Sequence, residues 1–389
     1  MKQLNAFAIF ILMTSLLGGP TAFGAPSFQA NTLPAQITDA EFWRMITEFS
    51  EPNGDYPYEN FVSNEETIQK VIPILRRSTK PGGVYIGVGP EQNFTYAIAL
   101  QAKMAFVIDI RRQNMIELLM YKTLFEMSPS RADFVSHLFS RKRPSGIDDK
   151  STVRVLFATY DDVKSDAALY SETVQAIKSS LSKHGFKLSS DDLLKVDYIL
   201  QVFMRAGPGL DYRYASASPP GLPQTVPNYE QFMTAADPEG NRWSFLASEE
   251  NYQFVRQMNQ KNLFIPVIGD FAGPSAIRNI GKYLKDRNAI VSAFYVSNVE
   301  YYLDAPKTQT FWKNAASLPV DSSSMFIRFL GVGQSANMPW WNSSMWLQTV
   351  ASPMSDLFKQ VNAGQIPAFN DMLRTIQNPL TPDLVLRGK

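Results

Sequence analysis

The sequence predicts an α/β protein with a doubly wound, mostly parallel sheet, and the pattern of its apolar runs is the reason. Residues 83–87 form an apolar run that enters a glycine turn, a helical pattern follows, and a second apolar run ends on Asp109. Three later runs of strand length, at 263–268, 289–296 and 324–330, alternate with helical patterns in the same way. Strands that alternate with helices predict a parallel sheet with helices on both faces.

The first residues predict a cleavable signal peptide over residues 1–24. Lys2 precedes an apolar run at residues 6–17, and small residues follow up to Ala25. This run is shorter than the roughly 20 residues that a transmembrane helix needs, and its layout is that of a secretory signal. The mature chain is therefore expected in the periplasm or outside the cell, without a transmembrane span. An uncleaved anchor or a misplaced start is the alternative.

Composition excludes several classes of partner and site. The 37 Lys and Arg residues nearly balance the 36 Asp and Glu residues and are interspersed with them, so no nucleic-acid partner is expected. The chain has no cysteine and only two histidines, which excludes disulfides, thiolate metal sites and a multi-histidine metal centre. We therefore expect no metal site. Export without disulfides fits a Gram-negative periplasm, or secretion from it.

A helical segment is predicted over residues 25–80, before the first strand. A short helix covers residues 41–49, because its apolar side chains recur at helical spacing and fall on one face. A second helix is expected at residues 64–75, with Pro73 disturbing it near its end. The apolar face of the first helix consists of Phe42, Trp43, Met45, Ile46 and Phe49.

The sheet domain is expected over residues 81–335, with a helical insertion at about 111–205. The helical patterns in that stretch are too many for a single crossover between two strands. A long loop follows at 206–229, and loops of this length are usually functional lids or disordered. Its tyrosines favour an ordered lid, and they are Tyr212, Tyr214 and Tyr229. The last segment, 336–389, has the pattern of a helical or irregular tail.

The glycine turn after the first strand is the leading candidate for a cofactor site. Gly87 and Gly89 allow backbone N–H groups to face a ligand without a Cβ in the way, as in Rossmann-like nucleotide-binding units. Gln92 stands where the third glycine of the dinucleotide motif would be, which favours the looser turn of a class I methyltransferase. Tyr85 occupies the place where such enzymes usually carry an acid. The alternative is a turn that needs glycine only for its fold.

Asp109 ends the second strand roughly twenty residues after the turn, where an acid of this fold binds the hydroxyls of a ribose. A helix cap, or an ion pair with Arg111 or Arg112, is the alternative. The candidate cofactor-binding residues are therefore Gly87, Gly89, Glu91, Asn93 and Asp109.

Polar residues after the third and fourth strands are the candidates for contact with a substrate. Asp270 lies between two glycines in the turn 269–274, and a parallel sheet would bring it to the same edge as Asp109. Asn298 and Glu300 follow the fourth strand, where they could orient a polar substrate. A simple turn aspartate and ordinary helix capping are the alternatives for these positions. The candidate catalytic residues are Asp270, Asn298 and Glu300.

Four sequence blocks resemble an uncharacterised bacterial family typified by a Leptospira protein. They are residues 87–96, 109–114, 138–144 and 267–274, and residues 297–301 fit the same pattern. The resemblance covers roughly residues 40–330. It implies a Rossmann-like, methyltransferase-like fold and a clustering of Gly87, Asp109 and Asp270, but no known reaction.

Two functions follow from these residues. The first is S-adenosylmethionine-dependent methyl transfer to a small-molecule substrate, with the turn and Asp109 holding the cofactor. The second is a non-catalytic protein that binds a ligand or a protein partner, without a cofactor, on a degenerate fold of this type. Tyr85 and the export signal favour the second, because S-adenosylmethionine is made in the cytosol. A hydrolase that uses Asp270 ranks third.

Overall fold

One six-stranded sheet organises the protein, in a computed structural model that describes residues 32–214, 226–331 and 347–377. The strands are β1 (Val84–Gly87), β2 (Met104–Asp109), β3 (Phe264–Ile268), β4 (Val291–Ser297), β5 (Met325–Gly331) and β6 (Leu347–Pro353). Their order in the sheet is β3-β2-β1-β4-β5-β6. β1 to β5 run parallel, and β6 pairs antiparallel with β5. The α/β class, the mostly parallel sheet and the five predicted strands are confirmed.

The parallel strands are buried along almost their whole length, which requires cover on both faces of the sheet. Every residue of β1, β2 and β3 is buried, and β4 and β5 are partly exposed only at their last residue. Their sequences are rich in Val, Ile, Phe and Tyr, the residue types that favour strands. In the resulting register, Gly87 lies opposite Val107 and Asp109 lies opposite Ile268.

Fourteen α-helices accompany the sheet within the described ranges. They are α1 (Asp39–Phe49), α2 (Ile72–Ser78), α3 (Gln92–Ala99), α4 (Arg112–Met127), α5 (Arg131–Phe139), α6 (Val153–Asp161), α7 (Ala167–Lys183), α8 (Ser190–Ala206), α9 (Tyr229–Thr234), α10 (Glu249–Gln260), α11 (Ala276–Lys285), α12 (Ala305–Ala315), α13 (Ser355–Asn362) and α14 (Phe369–Arg374). Short 3₁₀ helices lie at Gly207–Gly209 and Val299–Tyr302. None of the described helices combines the length and apolar character that crossing a membrane requires.

The helices form two groups, one on each face of the sheet. Both α1 and α4 pack against β3. On one side α1 packs against α11, which contacts α12, and α12 contacts α13. On the other side α4 packs against α7, α8 and α10. Helices α4 to α8 occupy the stretch at about 111–205 for which the sequence predicts a helical insertion.

The second N-terminal helix begins later than the sequence predicts. Residues 66–71 form turns, and α2 starts at Ile72 instead of Asn64. Pro73 stands in the first turn of α2, where its missing N–H leaves no helical hydrogen bond unmade. The proline therefore belongs to the start of this helix, and the prediction that it disturbs the end is wrong.

The C-terminal stretch contains a strand where the sequence predicts a helical or irregular tail. The five central residues of β6 are buried, and β6 pairs with the whole length of β5. An antiparallel edge strand needs no crossover helix before it, so the alternation of strands with helices does not indicate it. The described residues that follow β6 are helical in α13 and α14.

The predicted signal peptide and the predicted long loop fall wholly or partly outside the described residues, as do the first residues of the segment 25–80 and both ends of the predicted tail 336–389. The signal peptide, 1–24, precedes residue 32, where the description begins. The predicted loop, 206–229, has its middle, residues 215–225, outside the description. Its described ends hold the 3₁₀ helix Gly207–Gly209 and the residues before α9, and Tyr212 is buried.

An ion-pair cluster fastens α1 to the helical insertion. His184, which follows α7, has Nδ1 2.8 Å from Asp39 Oδ2 and Nε2 2.8 Å from Glu126 Oε2. Lys122 is buried and donates to the other oxygen of Glu126 at 2.6 Å. The hydrogen bond with Glu126 raises the pKa of His184 above its ordinary value, and the hydrogen bond with Asp39 adds to this effect.

We expect the melting temperature to fall as the pH rises above about 6.5 and through the raised pKa of folded His184. A base with a raised folded pKa contributes stability that is complete below its unfolded pKa, about 6.5, and is lost as the pH rises through the folded pKa. The His184→Gln variant should show a smaller decline. In the control, His137→Gln, the decline should persist, because burial lowers the pKa of His137 and reverses the sign of its contribution. Equal declines in wild type and His184→Gln would contradict the role of His184.

Candidate functional site

A pocket of about 840 Å³ opens at the carboxyl ends of the parallel strands. Gly89 lines it after β1, Asp109 at the end of β2, Asp270 after β3 and Asn298 after β4. β2 and β4 flank β1 on opposite sides, so the strand order reverses at this point. Open α/β sheets bind ligands at such a reversal, and the volume lies within the range of small-molecule sites.

The pocket brings together half of the residues that the sequence singles out. Its lining includes Gly89, Asp109, Asp270 and Asn298. It does not include Gly87, Glu91, Asn93 and Glu300. The first four share one edge because the carboxyl ends of parallel strands meet there. The other four make contacts within the protein.

The N-terminal segment 55–65 supplies one wall of the pocket, which sequence analysis did not predict. Tyr56 meets Tyr58 and Tyr302 edge-on, with ring centroids 5.5 and 6.0 Å apart. Aromatic faces of this kind offer stacking surface to a planar ligand. Further aromatic side chains line the pocket, and they are Tyr212, Phe271, Tyr295, Tyr301 and Phe329. The two tyrosines beside Pro57 in a polar stretch are the sequence signal that could have indicated this wall.

The glycine turn is closed by side chains of the protein itself. Nδ2 of Asn93 donates to three consecutive carbonyls, those of residues 88–90, at 3.0, 3.0 and 2.7 Å. Its Oδ1 accepts from the hydroxyl of Tyr85 at 2.8 Å. A Cβ on Gly87 would lie 2.0 Å from that Oδ1 and 2.5 Å from the hydroxyl. The side chains of Asn93 and Tyr85 therefore fill the space beside Gly87. Gly89, with φ +80°, lines the pocket.

Glu91 lies behind the turn and outside the pocket lining. Its side chain is buried, Oε1 accepts from the backbone N–H of Ser63 at 3.3 Å, and Oε2 has no hydrogen-bond partner. Burial raises the pKa of Glu91 to about 8. The group is therefore a neutral carboxylic acid at pH 7 and adds no charge to the site.

Asp109 forms a buried ion pair with Arg111. The guanidinium donates from Nε to Oδ1 and from Nη2 to Oδ2, both at 3.0 Å, and the backbone N–H of Arg111 donates to Oδ1 at 2.9 Å. Both residues line the pocket. The ion pair that the sequence offers as an alternative for Asp109 is therefore present, although Oδ2 keeps the capacity to accept another hydrogen bond. Arg112, the other candidate partner, pairs with Asp192.

Glu51 organises the turn after β3. Its Oε1 accepts from the backbone N–H groups of Ser275 and Ala276, both at 2.7 Å, and its Oε2 accepts from the backbone N–H of Asp270 at 3.1 Å. A Cβ on Gly273 would lie 1.9 Å from Oε2, which explains the glycine. The N-terminus of α11 thus already holds a carboxylate of the protein and is not open to an external anion.

Asp270 is a turn aspartate that also faces the pocket. Its Oδ1 accepts from the backbone N–H of Ala272 at 2.9 Å, the local arrangement that the sequence offers as an alternative. Its Oδ2 lies 3.6 Å from Nζ of Lys307, which lines the pocket as well. One negative and one positive side chain therefore stand together at this wall.

Of the two candidate catalytic residues after β4, Asn298 lines the pocket and Glu300 does not. Glu300 accepts from Nε of Arg328 at 2.5 Å, and Arg328 is fully buried in β5. Nη1 of Arg328 also donates to the hydroxyl of Ser352 in β6 at 2.8 Å. Glu300 is thus the counter-charge of a buried arginine, while Asp270 and Asn298 remain as the predicted catalytic residues within the pocket.

Glu65, in the unpredicted wall 55–65, is a buried carboxyl group in the pocket that the sequence does not indicate. It is 2% exposed, and its Oε1 accepts from the hydroxyl of Tyr295 at 2.6 Å and from the hydroxyl of Ser297. Its Oε2 has no hydrogen-bond partner. Burial raises the pKa of Glu65 to about 7, although both hydroxyls act to lower it. The residue lies in an irregular stretch before α2 and belongs to no motif, so only the tertiary contacts reveal it.

These features define an α/β protein whose mostly parallel sheet holds a pocket at its carboxyl edge. The chain belongs to the DUF7790 family, a domain of unknown function, whose model matches residues 60–377. No curated protein matches the chain. The match contains the whole sheet and the pocket residues from Asn60 onward. The prediction of an uncharacterised family is confirmed, and its typification by a Leptospira protein stays a prediction.

Proposed function

We propose that the chain has a Rossmann-like, class I methyltransferase-like fold and binds a nucleoside-type cofactor, with S-adenosylmethionine the expected one. The strand order supports this, because five parallel strands are followed by an antiparallel β6 beside β5. Doubly wound nucleotide-binding sheets have the same order. The observation that carries the proposal is the pocket, where Gly89, Asp109, Asp270 and Asn298 meet at the reversal between β1 and β4.

The pocket lining suits such a cofactor. Its aromatic side chains offer faces for a purine ring, and Oδ2 of Asp109 has a lone pair for a ribose hydroxyl. Lys307 supplies positive charge for the carboxylate of an amino-acid group. S-adenosylmethionine, when bound, supplies a methyl group on a sulfonium ion. Asp270 and Asn298 would then face the substrate that accepts it.

A non-catalytic ligand-binding protein is the second candidate, and two observations favour it. Arg111 already donates a hydrogen bond to each oxygen of Asp109, and Asn93 fills the space beside Gly87. A degenerate fold of this type would keep the pocket and bind a ligand or a protein partner without chemistry.

We also propose that the protein is exported to the periplasm or secreted. The support is the amino-acid pattern of residues 1–24 alone, because residues 1–31 lie outside the described structure. Location bears on the choice between the two functions, since S-adenosylmethionine would have to reach an exported protein.

Calorimetric titration with S-adenosylmethionine, S-adenosylhomocysteine and NAD separates the two candidates. We expect micromolar binding of the first two and none of NAD. The Asp109→Asn variant weakens the acceptor and should raise the Kd roughly tenfold or more, because a hydrogen bond to a charged group contributes about 1.5–3 kcal/mol. Absence of binding by all three compounds rejects the cofactor and leaves the non-catalytic protein.

Asp192→Asn is the matched control for that variant. Asp192 also accepts two hydrogen bonds from an arginine, Arg112, at 2.7 and 2.8 Å, and its side chain is buried. It does not line the pocket. Both variants lose an Arg–Asp pair, but only Asp109→Asn should bind S-adenosylhomocysteine more weakly. A similar loss of affinity in both would contradict a direct contact with Asp109.

A further inference from the structure

The pocket contains one buried carboxyl group for which cofactor binding gives no role. Glu65 is held at Oε1 by the hydroxyls of Tyr295 and Ser297, while Oε2 is buried without a hydrogen-bond partner. An unsatisfied buried polar atom is destabilising and is uncommon in native proteins. Because Glu65 lines the pocket, a ligand group can supply the missing partner.

We propose that Glu65 is the general base of the site and takes the proton of a hydroxyl or amine acceptor as that acceptor is methylated. This inference rests on the proposed function and adds the substrate class to it, a neutral molecule with a reactive O–H or N–H group. Oε2 of Glu65 gains the proton of the acceptor. A C–O or C–N bond forms to the methyl carbon, and the broken C–S bond leaves its electron pair on sulfur.

The position of Glu65 is fixed in the way that proton transfer requires. Two hydroxyl donors on β4, those of Tyr295 and Ser297, orient the carboxyl group and leave Oε2 without a hydrogen-bond partner. Asn298, the predicted substrate-facing residue, is next along the chain and lines the same pocket. The base and the polar contact to the substrate therefore belong to one wall.

The surroundings of Glu65 allow its carboxyl group to gain and lose a proton near neutral pH. The titratable side chains that interact with it are Tyr85, Tyr96 and Tyr295, and burial raises the pKa of each phenol well above its ordinary value, so all three stay neutral. Among the described residues, Glu65 has no ion-pair partner. Burial therefore governs its protonation and holds its pKa at about 7. A base is most effective when its pKa lies near the working pH.

Glu117 provides an internal comparison for this assignment. It is equally buried, its Oε1 has no hydrogen-bond partner, and burial raises its pKa well above the ordinary value. It does not line the pocket. A probe that enters the pocket should therefore distinguish Glu65 from Glu117, although burial raises the pKa of both carboxyl groups.

Esterification by a diazoacetamide tests the role of Glu65 without any cofactor. The diazo carbon takes the carboxyl proton, the carboxylate then attacks that carbon, and N₂ leaves, so only a protonated and accessible carboxyl group gives an ester. Peptide mass spectrometry should locate the ester on Glu65. As the pH rises, the labelling rate of Glu65 should fall with a midpoint near pH 7. Exposed glutamates should lose reactivity with a midpoint of about pH 4.3.

Two variants complete the design. Glu65→Gln keeps the side-chain size and should abolish the label on that peptide, while Glu117→Gln should leave the labelling of Glu65 unchanged. The inference is overturned if wild-type Glu65 is unlabelled, if it is labelled no faster than Glu117, or if its midpoint is that of an exposed glutamate. The labelling of the wild-type protein decides this even where a variant fails to fold.

Calorimetry with S-adenosylhomocysteine distinguishes failure of this inference from failure of the proposed function. Binding without labelling of Glu65 overturns the general base and leaves the cofactor. Labelling with the expected midpoint but without binding overturns methyl transfer, and with it the role of Glu65 in that step. Labelling and binding together support both.

Discussion

The Arg328→Ala variant should lose about 3–5 kcal/mol of the free energy of unfolding, because it breaks a buried ion pair and leaves one charge uncompensated. Arg328 is fully buried in β5, and its guanidinium donates to Glu300 at 2.5 Å and to Ser352 at 2.8 Å. The guanidinium carbon also lies 4.2 Å from the ring centroid of Phe326. The substitution therefore removes both a counter-charge and core packing.

Urea denaturation followed by circular dichroism measures this loss. Arg143→Ala is the matched control, because Arg143 also pairs with a carboxylate, that of Asp133 at 2.9 Å, but is 38% exposed. Exposed pairs contribute no more than about 1 kcal/mol. The double variant Arg328→Met with Glu300→Gln removes both charges and should recover part of the loss. Equal losses for Arg328→Ala and Arg143→Ala would contradict the role assigned to Arg328.

The Gly87→Ala variant should lose about 1–3 kcal/mol of stability or more, as overpacked core variants do. The new Cβ would lie 2.0 Å from Asn93 Oδ1 and 2.5 Å from the hydroxyl of Tyr85. Neither side chain can yield easily, since both are fully buried and Asn93 is bonded to three carbonyls of the turn. The turn at the end of β1 should distort, and thermal denaturation should show the loss.

Gly209→Ala is the control for this prediction. Gly209 has no atom within 4 Å of an added Cβ, so its substitution should change the stability by no more than about 0.5 kcal/mol. The double variant Gly87→Ala with Asn93→Ala should lose less stability than the sum of the two single losses. The reason is that the side chain of Asn93 both clashes with the new Cβ and holds the turn by its hydrogen bonds. If Gly87→Ala were as stable as Gly209→Ala, the space beside Gly87 would be open.

The parallel part of the fold could be predicted from the sequence, because each of its five strands is a short, continuous apolar run. Two elements could not. β6 is an antiparallel edge strand that returns to β5 without a helix between them in the described residues, so no alternation marks it. The start of α2 depends on Pro73, which is compatible with the first turn of a helix as well as with its end.

The site could be predicted only where the end of a strand decides a residue's position. Gly89, Asp109, Asp270 and Asn298 satisfy that condition, and the pocket contains all four. Contacts between distant segments decide the rest. Glu65 reaches Tyr295 across 230 residues of sequence without any local pattern that would indicate the contact.

The same limit applies to the residues that the structure places outside the pocket. Glu300 has a local pattern suited to a helix cap, but its partner, Arg328, comes from another strand. Asn93 fits a ligand-binding turn by its spacing, but its side chain bonds inward because Tyr85 stands beside it. Side-chain direction within a turn depends on neighbours that spacing alone does not reveal.

A crystal structure of the protein with S-adenosylhomocysteine tests the central claim most directly, which is that the pocket at the carboxyl edge of the sheet binds a nucleoside-type cofactor. We predict electron density for the ligand beside Gly89, with a ribose hydroxyl donating to Oδ2 of Asp109. Density at another place on the protein, or a pocket without density at a saturating concentration of the ligand, would contradict the account.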